Sequence, residues 1–133
     1  MSSARDRSLQ EIEGDDWGDP PRDTTYLVGT VHRLRRKPVG GLRVEDLRIL
    51  IGQQIGLPVL VPLALERLEQ DPLAEGDFYA GDLLVAVVRA PAEFWQANPH
   101  LAARLRDVTG SVDCGELPVS AQREIEGFRS SAY

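Results

Sequence analysis

Leu83-Leu84-Val85-Ala86-Val87-Val88 is the longest unbroken apolar run in the chain, and its reading as strand or helix decides the fold class. Its β-branched valines suit either, because a short run that is apolar on every side carries no period. A strand must pair with another strand, and no second segment shows the alternation of one. The run is therefore read as a buried helix. At six residues it also falls far short of the ~20 that cross a bilayer.

Reading outward, Gly76-Asp77-Phe78-Tyr79-Ala80-Gly81-Asp82 just upstream is a loop with two rings between carboxylates. Before it, residues 59–70 read as a buried central helix ending near Asp71-Pro72, which its prolines permit only if Pro62 falls in the first turn. Val44, Leu47, Ile51 and Ile55 recur at helical spacing behind Glu45 and Asp46, carboxylates that suit the positive end of a helix dipole. Leu27, Val31 and Leu34 mark another helix that ends before Pro38. Downstream, Pro91 and Glu93 open a segment carrying Phe94 and Trp95. Asn98-Pro99 reads as cap and first residue of a helix with Leu101, Leu105 and Val108 on its apolar stripe. A last helix begins near Ser120, with Ile125 and Phe128 facing inward. Residues 1–8 are expected to be frayed, and residues 9–133 to form one compact all-α bundle of about six short helices.

The chain has 133 residues, 42% hydrophobic and 27% charged, with a formal charge of -6. That is enough chain for one core without metals or disulfides. Cys114 is the single cysteine, which excludes an internal disulfide and fits a reducing compartment. With no apolar leader after Met1, the expectation is a cytoplasmic protein without a membrane partner.

Catalysis has little to work with. His32 and His100 are the only imidazoles, and neither has a nucleophile near it in sequence. Cys114 has no companion at metal-ligand spacing, Asp15-Asp16-Trp17-Gly18-Asp19 lacks the closing glutamate of a calcium loop, and no glycine motif cradles phosphate. Neither enzyme activity nor a metal or cofactor is expected.

Charge has a clear layout. Acidic residues crowd residues 6–23 and 66–82, with the basic stretch Arg33, Arg35, Arg36, Lys37 and Arg43 between them. Trp17 lies within the first acidic cluster, and Phe78 and Tyr79 within the second. Rings set among carboxylates have the make-up of a protein-binding surface, where rings anchor and charges steer. Asp15, Asp16, Trp17, Asp19, Asp77, Phe78, Tyr79 and Asp82 are therefore the candidate binding residues. The competing readings are that the rings plug the core, that Arg33, Arg35, Arg36 and Lys37 make a nucleic-acid contact on a helical regulator, and that the carboxylates serve a metal-dependent hydrolase.

The stretches at residues 9–21, 45–57 and 75–84, among them Glu13-Gly14-Asp15-Asp16-Trp17-Gly18-Asp19, Leu50-Ile51-Gly52-Gln53-Gln54-Ile55-Gly56 and Glu75-Gly76-Asp77-Phe78-Tyr79-Ala80-Gly81-Asp82, resemble the contact-dependent growth inhibition (CDI) immunity proteins of bacteria. The resemblance runs in order through most of residues 8–110. It implies a cytoplasmic antidote that binds the C-terminal toxin domain of a cognate effector and blocks it without catalysis, with no nucleic-acid partner of its own. Where such a toxin is a nuclease, its phosphate-binding surface is basic, and an acidic inhibitor speeds association by ~10 to 10³.

Overall fold

The computed structural model describes residues 4–131, and among them the chain is all-α. Eight α-helices follow in order: α1 (Leu9–Glu13), α2 (Tyr26–Arg35), α3 (Val44–Gly52), α4 (Leu57–Gln70), α5 (Asp82–Val88), α6 (Ala92–Ala97), α7 (Pro99–Gly110) and α8 (Val119–Arg129). The count is eight, above the expected six or so, because one-turn pieces such as α1 and α6 stand as helices of their own.

The apolar run that posed the strand question is α5, and every residue of it is buried. It packs against α3, α4 and α8. A seven-residue helix enclosed this way needs no amphipathic period, which is why its sequence shows none. Gly81 precedes it at φ +98, a left-handed conformation, and a Cβ there would stand 2.9 Å from Leu117 Cδ2. Both the backbone turn and the close approach require glycine at this position.

α4 brings Leu60, Val61, Ala64, Leu65 and Leu68 to the core and packs on α3, α5 and α7. Pro62 is not in its first turn. Gly56 caps α4 and Pro58 takes the first-turn position, so Pro62 lies inside the helix, where the bond to the Pro58 carbonyl is missing. At the far end of the core Trp95 is wholly buried, its Nε1 donating to the Ala90 carbonyl at 3.1 Å. The rings of Phe94 and Phe128 meet it edge-on at 5.2 and 5.5 Å between centroids, the arrangement aromatic quadrupoles favour.

The first helices dock on this body. Among residues 1–8, expected to be frayed, 1–3 lie outside the described residues, and bonds reach Arg5, Arg7 and Ser8. Arg5 bonds Glu66, the Arg7 carbonyl accepts from Val39 N–H, and Ser8 caps α1 in a reciprocal pair with Glu11. α2 packs against α3 and buries Val31, Leu34 and Arg35. Leu27, placed on the same inward stripe by its spacing, is instead 40% exposed. The N-terminal turn of α2 reaches past the core.

Candidate functional site

Residues 13–19 form a strap against the C-terminal half of α2. Arg35 of α2 is buried and donates to Glu13 Oε1 at 3.0 Å and to the Asp15 carbonyl at 2.9 Å. Arg36 donates to the Gly18 carbonyl at 2.7 Å and to Asp19 Oδ1 at 3.2 Å. His32 Nδ1 lies 3.2 Å from the same Gly18 carbonyl. Trp17 lies over Arg35, meets the His32 ring at 5.4 Å between centroids, and donates from Nε1 to Asp15 Oδ2. Its outer side stays open, 43% exposed. Asp16 accepts from Gly18 N–H and, like Asp15 and Asp19, is exposed.

The basic stretch is thereby largely engaged within the chain. Lys37 Nζ and Arg43 Nε both approach Asp46 Oδ2, at 3.2 and 3.7 Å. Burial pushes the Asp46 carboxyl up, but the Arg43 backbone N–H and the Lys37 ammonium outweigh it and leave the group below its ordinary value. Arg33 makes no such bond and faces a groove.

On the other flank of α2 lies the loop of residues 75–81, which returns the chain from α4 to α5. Phe78 projects from it, 70% exposed, with the Arg48 guanidinium of α3 4.4 Å from its ring centroid. Asp77 is exposed, while Tyr79 leans on the core. Asp82, at the start of α5, is only 4% exposed and points back into the loop, accepting from Gly76 and Phe78 N–H. Of the eight residues singled out in the sequence, it is the one with its carboxylate turned inward.

A groove of about 320 Å³ separates α2 from this loop, walled by Tyr26, Leu27, Thr30 and Arg33 on one side and by Ile49, Arg48, Asp77 and Phe78 on the other. Tyr26 is 86% exposed at its edge. The two ring-bearing loops are not in mutual contact through any described bond. They flank α2, Trp17 on His32 and Arg35, Phe78 across the groove from Tyr26 and Leu27. Tyr26 and Leu27 are missing from the sequence-derived set. The signal was present: Tyr26-Leu27-Val28 is a run of three apolar residues at a helix start, and one helix cannot turn three successive side chains to one core.

A family model described as CDI immunity proteins matches residues 11–105, a span that takes in the strap, α2, the groove and the 75–81 loop. The chain belongs to this family. No curated protein matches it. In this CDI immunity protein, the Cys114 turn and α8 lie beyond the matched span. Among its described residues, no helix is long and apolar enough to cross a membrane, and no group of three or more His, Cys, Asp or Glu side chains is placed to hold a metal ion.

Proposed function

We propose that this immunity protein binds and neutralises the C-terminal toxin domain of its cognate contact-dependent effector in the cytoplasm, without catalysing a reaction. The binding surface runs from the strap across the exposed turn of α2 to the 75–81 loop. It comprises Asp15, Asp16, Trp17, Asp19, Asp77, Phe78 and Tyr79, with Tyr26 and Leu27 between them, and Asp82 acting from beneath.

One observation carries this reading. Trp17, Tyr26, Leu27, Val28, Phe78 and Val119 are the large apolar side chains left exposed among the described residues, and all but Val119 lie on α2 or on the loops flanking it. Exposed rings gathered in one region mark an interaction site rather than ordinary surface. Asp16, Asp23 and Asp77 stand there without a cation bonded to them, which favours a basic partner and fast encounter. A nucleic-acid role for the basic stretch draws little support, since Arg35, Arg36 and Lys37 are engaged by the chain's own oxygens.

Co-expression tests the proposal. Cells producing the cognate toxin domain should grow when the chain is present and arrest when Trp17, Tyr26 and Phe78 are all replaced by alanine in a folded variant. Arrest despite the folded wild-type chain would reject the antidote role.

A further inference from the structure

Three successive backbone N–H groups of the 75–81 loop end on carboxylates from two different helices. Gly76 donates to Asp82 Oδ1 at 2.7 Å, Asp77 to Glu45 Oε1 at 3.1 Å, and Phe78 to Asp82 Oδ2 at 3.1 Å. Glu45 is itself held by Arg48 through bonds of 2.5 and 2.7 Å, and Arg48 lies under the Phe78 ring. Gly76 is enclosed so closely that a Cβ would stand 2.6 Å from Glu45 Oε1 and 2.9 Å from Asp82 Oδ2.

This cage fixes a loop whose tip adds little to the core, because Phe78 remains 70% exposed. Bonds to an ionised acceptor are the strong ones, and here they converge on a side chain that faces solvent. We infer that Glu45, Arg48 and Asp82 are positioning residues that hold Phe78 as a preset anchor for an apolar socket on the toxin domain. The inference rests on the toxin-binding reading and adds to it the residues that make the anchor rigid. The ring stands as a ridge between the groove toward Tyr26 and Leu27 and a second hollow of about 240 Å³ bounded by Tyr79, Val85 and Ala86. A matching socket closes its walls into both hollows. The exposed carboxylate of Asp77 favours a basic rim on that socket. Because the loop is already ordered, association orders little there, and the gain appears as slower dissociation.

The test uses the full chain and its cognate toxin domain, with association and dissociation rates from surface plasmon resonance and a melting curve for each variant alone. Phe78→Ala should weaken binding by roughly 30-fold or more, mainly through dissociation. Gly76→Ala, which pushes the carboxylates apart, should weaken it about tenfold. The double variant should bind no worse than Phe78→Ala, since the cage acts through the ring. Should Gly76→Ala melt at the assay temperature, Glu45→Gln replaces it in the same cycle, with the same expectation. If Phe78→Ala binds as tightly as wild type, the surface reading itself fails. If Phe78→Ala binds weakly but the cage variant binds like wild type, or its loss adds in full to that of Phe78→Ala, the surface stands and the positioning role is overturned.

Discussion

The guanidinium carbon of Arg35 lies 3.9 Å from the centroid of the Trp17 ring, so the strap is closed onto α2 by stacking as well as by the bonds from Arg35 to Glu13 and the Asp15 carbonyl. Arg35 Nε is the one buried side-chain nitrogen or oxygen among the described residues without a partner. The flat face of the guanidinium is what the indole uses, and a lysine ammonium offers no such face. Arg35→Lys should therefore loosen the strap, shifting Trp17 emission to the red and lowering stability by about 1 kcal/mol. Arg35→Ala should cost about 2 kcal/mol, moderated because Glu13 is partly exposed and takes up water. Denaturant titration followed by fluorescence checks both.

The engagement of the basic stretch by internal oxygens makes a second prediction. Lys37→Gln, which breaks no bond of the strap or of the 75–81 loop, should leave protection against the toxin intact. Neither the variant nor the wild type should bind duplex DNA with the steep salt dependence of phosphate neutralisation. Protection lost together with such a salt-sensitive affinity, in a variant that melts normally, would favour the nucleic-acid reading.

Acid should weaken the packing around α3. The Arg48 guanidinium beside Glu45 holds its carboxyl below the ordinary 4.5, and Asp46 lies below the ordinary 3.8 because its bonds to Arg43 and Lys37 outweigh burial. Since both folded values are depressed, the stabilisation is complete above the unfolded values. It is lost as pH falls from about 4.5 through the lower folded values, where the unfolded chain takes up protons that the folded chain refuses. Urea midpoints measured across this range should fall with acidification, and Glu45→Gln should flatten the slope. An unchanged slope in that variant would contradict the assignment.

Pro62 offers a stabilising change. Its ring denies α4 one backbone bond and crowds the Pro58 carbonyl. Pro62→Ala should raise stability by about 1–3 kcal/mol, since interior proline is the least favourable helix residue. In a chain of this length that is a rise in melting temperature of several degrees. A fall would mean that the proline ring fills space alanine leaves empty.

The helices were legible because their cores follow a period: Val31 with Leu34, Leu47 with Ile51, and Leu101, Leu105 with Val108 are all buried as their spacing requires. Even α5, without a period, was readable by elimination, since a lone strand has nothing to pair with. The position of Pro62 was misread because the cap is a glycine in a left-handed turn, which leaves no side-chain signature of where α4 begins. The site was legible only in part. Asp77 and Asp82 look alike in sequence, yet one rims a groove and the other turns inward to bond the backbone of its own loop, a difference set by where α5 starts. That Trp17 and Phe78 flank one helix depends on contacts between distant segments, which local pattern does not carry.

The most direct test of the central claim, that this chain acts by binding a toxin domain through its exposed rings, is titration calorimetry of the purified chain against its cognate toxin domain. The account predicts a tight one-to-one complex whose affinity drops by orders of magnitude for a folded chain carrying Trp17→Ala, Tyr26→Ala and Phe78→Ala. Equal affinity of that variant and the wild type, or no complex with the wild type, would contradict it.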